Sequence, residues 1–358
     1  MRKFFQFDLV LFLPALILMS LGFITAISTS SELTLQTIFY ILFSLLIFLL
    51  IKEVDYRIYQ SFATPLFIIG IAFIILPYFV GEITRGATRW INLGSFLIQP
   101  SELIKPILIV FSADFFSKNE PLTLKKISKF VCITSIPLIL VFKQPDLGST
   151  IVYIFLFGSI IVASGLRRIV LFGGLITSLG ILPFFWHFLK DYQKERILTF
   201  INPSRDPLGT GYNAIQAEIA VGSGQLFGRG LGRGTQSHLN FLPEFRTDFV
   251  FATLSEELGF LGSTVILSAF SVLLWRIIKC GEKSADKFAY LVSIGVFAQI
   301  IIQVFINIGM NIGIVPITGI TLPLVSYGGS SLVATMATLG IIANIKKASP
   351  QEEGVHIS

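Results

Sequence analysis

Leu9 to Ile27 reads LVLFLPALILMSLGFITAI, nineteen residues with no charged side chain. A helix needs about 20 mostly apolar residues to cross the hydrocarbon core of a bilayer. Arg2 and Lys3 precede the run and Ala26-Ile27-Ser28 ends it, which also imitates a cleavable secretion signal. The run is long for a signal core, and cleavage would break the charge pattern described below, so it reads as a transmembrane helix. Nine more windows follow: Leu35 to Ile51, Phe62 to Val80, Phe96 to Phe116, Ile127 to Phe142, Gly148 to Ser164, Ile169 to Leu189, Phe249 to Ile278, Phe288 to Ile312 and Leu324 to Ile345. Polar residues interrupt the fourth, and the sixth is short. The expected fold is an all-α polytopic membrane protein of about ten transmembrane helices.

Composition agrees. Of 358 residues, 53% are apolar and 13% charged, against about 25% charged in soluble domains. This excludes a soluble enzyme, a disordered tail and a nucleic-acid binder built on the +6 charge. Cys132 and Cys280 lie far apart in or beside apolar stretches and read as free thiols. His187, His238 and His356 are scattered and form no metal site.

Basic residues set the orientation. With the N-terminus inside, the inner segments hold sixteen of the 27 Lys and Arg, and the short outer loops hold only Arg85, Arg89 and Lys143. Seven more lie in one long outer loop, a class of loop that is largely exempt from the positive-inside rule. Both termini are therefore expected in the cytoplasm. Residues 1–358 read as one integral membrane domain, with a large extracytoplasmic loop at about 190–247, between helices 7 and 8, and a cytoplasmic tail at 346–358.

The chemistry gathers in the outer segments. Gly222, Gly224, Gly228, Gly230, Gly232 and Gly234 fall within thirteen residues, with Arg229 and Arg233 interleaved. Such a run lets backbone N–H groups approach an anion; a flexible connector is the plainer reading. It fits no nucleotide fingerprint. Tyr212 to Val221 suits a short amphipathic helix near the membrane surface. Asp248 stands at the membrane boundary before an apolar run, where a carboxylate is costly unless wet, paired or functional; an N-cap role fits equally. At 100° per residue, Ser255 nearly shares its face, and at most one of Glu256 and Glu257 shares a cavity with it.

Glu102 and Lys105, three apart, neutralise each other inside the membrane, as a structural pair or as part of a substrate cavity. Asp146 reads as a cap. Gln299, Gln303, Asn307 and Asn311 repeat every four residues, a polar stripe suited first to interhelical hydrogen bonds. The uncharged last outer loop, Gly319 to Ser331 with Ser326 within it, breaks the helix at membrane depth and so needs protein or water around it. A polar cavity with a glycine-rich lid suits a phosphate- or pyrophosphate-bearing lipid, handled by an enzyme or by a transporter.

The segments Gly86 to Ile91, Gln99 to Lys105, Gln144 to Ser149, Asp206 to Tyr212, Thr247-Asp248-Phe249 and Pro323 to Ser331 occur in an order that resembles the SEDS family (shape, elongation, division and sporulation). Gly234 to Pro243 and Asn307 to Gly313 are similar to its elongation branch rather than its division branch. The resemblance covers Asp8 to Ile345. It implies a peptidoglycan glycosyltransferase that polymerises lipid II into glycan strands at the outer face of the bacterial cytoplasmic (inner) membrane, in elongation and shape maintenance. It also implies a class B penicillin-binding protein as partner, besides lipid II, the growing strand and membrane lipids, with no nucleic acid.

By the same likeness Asp248 is the essential carboxylate, the general base of an inverting transfer. Charge on the departing pyrophosphate would come from Arg196, Arg205, Arg229, Arg233, Arg246 or a divalent cation such as Mg or Mn; no other cofactor is called for. Glu102, Lys105 and Ser326 would line the substrate cavity, and Arg89 with Trp90 would contact substrate or partner. Arg246 stands where the family usually has histidine. The alternatives are a lipid II flippase and the division branch. A flippase needs a site near the midplane, whereas Asp248 and the arginines lie at the outer end.

Overall fold

A computed structural model describes the chain apart from residues 1–7, 28–30, 85–86, 95, 119–120, 168, 172, 175–179, 181–185, 203–209, 240, 285 and 349–358. Most of it is helix. α1 (Leu9–Ile27) and α2 (Ser31–Glu53) are followed by the short α3 (Tyr56–Ser61) and by a third span in two pieces, α4 (Ala63–Ile75) and α5 (Pro77–Val80). Among the described residues, five stretches are long and apolar enough to cross a membrane: Leu9–Ile27, Thr34–Glu53, Ala63–Val80, Val250–Glu282 and Lys287–Asn311. The window Ile169 to Leu189 lies largely outside the described residues.

The all-helical expectation is corrected between residues 82 and 98. Three strands, β1 (Glu82–Thr84), β2 (Ala87–Leu93) and β3 (Phe96–Ile98), form an antiparallel sheet with Ile91 opposite Ile98 and Leu93 opposite Phe96. Phe96 begins the fourth window but belongs to β3, where its ring packs 4.8 Å from Phe39 and 5.8 Å from Tyr40 of α2. The helix of that window starts as a single turn, α6 (Pro100–Leu103), and resumes as α7 (Lys105–Ser117). Pro106 explains the break, since it has no N–H and its ring crowds the carbonyl four residues back.

α8 (Leu124–Lys143) and α9 (Leu147–Ala163) follow. Asp146 caps α9 as expected, accepting 3.0 Å from Ser149 N. Residues 190–247 carry α10 (Asp191–Ile201), α11 (Thr210–Ser223) and the single turn α12 (Thr235–His238); α11 contains the expected helix at Tyr212 to Val221. The chain ends in α13 (Val250–Glu282), α14 (Lys287–Asn311) and α15 (Gly329–Ala348). α14 is the central staff, packed against α7, α9 and α13, while α2 lies along α15.

One end of this bundle is pinned by Asp8, which takes Arg276 Nε at 2.7 Å and Lys346 Nζ at 3.1 Å. The candidate site lies at the other.

Candidate active site

Asp248 sits in the turn before α13, but it does not cap that helix: the cap position is Phe249, with no side-chain cap bond. What fixes Asp248 is its backbone. Its carbonyl accepts from Asn307 Nδ2 at 2.9 Å and Asn311 Nδ2 at 3.1 Å. Asn311 Oδ1 in turn accepts from Ala252 N at 3.1 Å, and Asn307 Nδ2 also donates to Ile320 O at 2.8 Å. Two members of the polar stripe therefore hold the turn and the last loop together; of the interhelical bonds expected of the stripe, Asn311 makes one, to Ala252 of α13. The Asp248 carboxylate faces Gly319, whose φ is +74°; Oδ2 would stand 3.4 Å from a Cβ there.

A second set of bonds grips the turn from the last loop. Ser326 Oγ donates to Thr247 O at 2.5 Å and accepts from Leu322 N at 2.8 Å. Tyr327 N donates to Arg246 O at 2.9 Å, while from α13 Thr253 Oγ1 donates to Phe245 O at 2.9 Å. Ser326 is thus placed as a brace of the turn. Asn311→Leu should cost about 1–3 kcal/mol by stranding Ala252 N and weakening the hold on Asp248 O. Thermal denaturation in detergent checks this.

The basic residues are unevenly placed. Arg246 is half-buried with its guanidinium carbon 4.7 Å from the Phe245 ring centre, and its Nε is buried with no hydrogen-bond partner among the described residues. Burial pushes its pKa down, partly offset by the Tyr327 phenol. Asn307 Oδ1 and Thr318 Oγ1, on residues flanking the Asp248 carboxylate's surroundings, are also buried without partners. Orphaned polar atoms are rare and call for a ligand, water or function. Arg196 Nη1 reaches Ile317 O at 3.3 Å and lines a cleft with Glu218, Met310 and Gly313. Arg205 lies outside the described residues.

Glu102 and Lys105 meet as expected, Nζ to Oε1 2.5 Å, with Lys105 wholly buried. Around them Gln99 Nε2 and Ser101 Oγ both donate to Asp146 Oδ2 at 3.0 Å, and Gln99 N donates to Ser330 Oγ at 3.0 Å. This cluster joins α6 and α9 to the start of α15. Arg89 and Trp90 are neighbours on β2, which packs against α5 and α6, on the Glu102 side. Thr318 O and Ile320 lie over Gly148 of α9, so the segment 318–320 bridges the two groups of polar residues.

The glycine-rich run is an ordered strap. α13 is broken at Gly259 (φ 69°, ψ −162°). Into that break the strap inserts its own backbone: Phe260 N donates to Gln225 O at 2.8 Å and Leu261 N to Leu226 O at 3.2 Å. In return Arg229 N donates to Glu256 O at 2.9 Å and Gly230 N to Glu257 O at 3.0 Å. The Glu256 carboxylate, fully buried, accepts from Thr235 Oγ1 at 3.1 Å and Gln236 N at 3.0 Å; Glu257 Oε1 accepts from Gly232 N at 3.2 Å. The backbone amides do cradle anions, but these are the chain's own Glu256 and Glu257, both turned to the strap. Arg229 and Arg233 remain exposed, Arg229 with Nη1 3.1 Å from Thr235 Oγ1.

The break also sets the height of Asp248. Asn307 stands 20 residues from Lys287, about 30 Å along α14; a straight α13 would carry Asp248 about 50 Å from Glu282. Their hydrogen bond therefore requires the first turns of α13 to fold across α14. Gly228 makes this possible, for a Cβ there would fall 2.1 Å from Glu257 O at a φ of +81°. Gly228→Ala should destabilise the protein by more than about 1 kcal/mol, with loss of amide-exchange protection at Phe260 and Leu261.

As a class, then, this is a polytopic helical membrane protein with a carboxylate held at one end of the bundle among buried polar groups and arginines. Fewer than three His, Cys, Asp or Glu side chains converge anywhere among the described residues. A divalent cation would have to lean on substrate phosphates, as Mg²⁺ commonly does.

The chain belongs to the FtsW/RodA/SpoVE family of cell cycle proteins, whose model matches residues 2–351. It is 38% identical over 303 residues to the peptidoglycan glycosyltransferase MrdB of Escherichia coli K12, covering 84% of this chain and 82% of that protein. Stage V sporulation protein E of Bacillus subtilis 168 is 37% identical over 372 residues, covering 96% and 97%. The fold matches a chain of a peptidoglycan synthase complex solved to show how polymerization and crosslinking are coordinated, with a TM-score of 0.82, 28% identity and coverage of 96% and 98%. It also matches the rod shape determining protein RodA of Thermus thermophilus, with a TM-score of 0.73, 26% identity and coverage of 97% and 99%.

Proposed function

We propose that this chain is the peptidoglycan glycosyltransferase of a cell-wall synthase, joining lipid II into glycan strands with Asp248 as general base. The 4-hydroxyl of the acceptor sugar gives its proton to Asp248 as its oxygen bonds to the anomeric carbon of the donor. The bond from that carbon to the polyprenyl pyrophosphate breaks, and the pyrophosphate leaves with the electron pair. Attack opposite the leaving group inverts the α-linked donor to a β-linked product. Pyrophosphate leaves readily, so fixed positive charge suffices on that side. Arg246, two residues from Asp248, and Arg196, bonded to the segment that leads to Gly319, are placed to supply it; Arg205, Arg229 and Arg233 add to the field.

What supports this reading most is the double hold of Asn307 and Asn311 on the Asp248 carbonyl, which fixes the backbone through an atom other than the carboxylate that would do the chemistry. Glu102 and Lys105 line the far side of the same end, with Ser326 bracing it. Ten spans, a single domain, both termini in the cytoplasm and the 190–247 loop outside follow from the windows and the positive-inside tally. The partner is a class B penicillin-binding transpeptidase, in keeping with the synthase complex that the fold matches. The elongation role rests on the Gly234 to Pro243 and Asn307 to Gly313 segments.

Purified chain, partner and lipid II together should yield glycan strands on a gel. Movement of lipid II across vesicles with no strand formed would make the protein a flippase instead.

A further inference from the structure

The strap carries exposed apolar side chains that glycan transfer does not use. Leu226, Phe227 and Leu231 are 51%, 75% and 53% exposed, although each belongs to a segment hydrogen-bonded into α13 or beside it. Immediately below them on α13, Phe260, Leu261 and Val265 are 64%, 49% and 48% exposed, and apolar exposure continues to Trp275 at 54%. Above the break the pattern reverses: every residue from Val250 to Glu257 is buried. Gly259 therefore marks where α13 passes from protein-covered to lipid-facing.

Helix geometry gives the level of that transition. From Phe260 to Arg276, the first basic residue of α13, is 16 residues, about 24 Å, and to Lys279 in its last turn 19 residues, about 29 Å. The hydrocarbon core is about 30 Å thick. Phe260 consequently stands at the hydrocarbon boundary, and the strap, bonded to Phe260 N and Leu261 N, stands there with it. Its exposed side chains are of two kinds: an apolar set continuous with the lipid-facing stripe of α13, and the guanidinium groups of Arg229 and Arg233. Apolar groups at the acyl boundary, with arginines at headgroup height, are the pattern of a segment lying in a membrane interface.

We propose that the strap Leu226–Arg233 is a membrane foot: Leu226, Phe227 and Leu231 enter the bilayer interface, and Arg229 and Arg233 bind the phosphates of anionic phospholipid. The placement rests on the spanning of α13 and is independent of Asp248 as a base. Because the strap is spliced into the break, the foot fixes the height of the turns that carry Asp248 against the bilayer.

The test is depth-dependent quenching. Phe227→Cys, in a chain whose Cys132 and Cys280 are replaced by Ser and Ala, is labelled with an environment-sensitive fluorophore and placed in nanodiscs containing phosphatidylglycerol. Nitroxide groups high on the acyl chain should lower its emission about threefold or more. Arg229→Glu with Arg233→Glu should halve that quenching in phosphatidylglycerol and leave it unchanged in phosphatidylcholine. Emission indifferent to nitroxide lipid overturns the proposal, as does emission that changes only when the crosslinking partner is added. Should the cysteine-free chain not fold, the unmodified protein is irradiated with photoactivatable lipids of either headgroup. Crosslinks on peptides spanning 226–233 should be several-fold more abundant with phosphatidylglycerol; equal or absent labelling overturns the foot.

Discussion

Asp248→Asn should lower glycan polymerisation by about 100- to 10,000-fold, the usual contribution of a positioned general base. Asparagine keeps the shape of the side chain, and the two bonds that hold residue 248 reach its backbone carbonyl, which every substituent retains. The variant should therefore melt at the wild-type temperature and still bind donor. Loss of rate without loss of fold separates a base from a brace. Asp248→Asn protein that still made strands at near the native rate would end the catalytic assignment.

Lys105→Met should be the most destabilising single change at the site, costing about 3–5 kcal/mol by leaving the buried Glu102 carboxylate without its partner. Lys105 is fully buried, and its Nζ stands 2.5 Å from Glu102 Oε1. Glu102→Leu combined with Lys105→Met removes both charges, so the double variant should recover most of the lost melting temperature. The double variant also separates the two readings of the pair. A purely structural pair leaves a stable, active double variant; a pair that lines the substrate cavity leaves a stable one with raised KM or abolished transfer. The second outcome is expected, because the pair adjoins the Gln99–Asp146–Ser330 cluster at the Asp248 end of the bundle.

Hydropathy alone located α1, α2, α13 and α14, because uninterrupted apolarity needs no knowledge of a partner. The same measure misread Phe96-Leu97-Ile98, since a short apolar run fits a strand as readily as the start of a helix. It also passed over Gly259, one glycine among 30. Its meaning lies in residues 225–230, about thirty positions earlier, and long-range backbone pairing leaves no local signature. The four-residue polar stripe was legible as a hydrogen-bonding face. That two of its members grip the carbonyl of Asp248 was not, because a backbone acceptor is identical in every residue. Helical angle allowed at most one of Glu256 and Glu257 to share a cavity with Asp248, but it could not show that both accept main-chain amides of the strap, joined at Glu256 by the Thr235 hydroxyl.

The splice at Gly259 carries a consequence for biosynthesis. Residues 225–230 leave the ribosome before the helix that completes them, so their amides and carbonyls at first lack the partners they have in the finished fold. Those groups find partners when Glu256 to Leu261 arrives, and the loop then closes around a helix already in place. Assembly is thus ordered in time, and a newly made chain passes through a state in which the loop is open to proteases. A variant such as Gly228→Ala should reveal itself first as low abundance in the cell, removed by quality control before its catalytic competence is ever called upon.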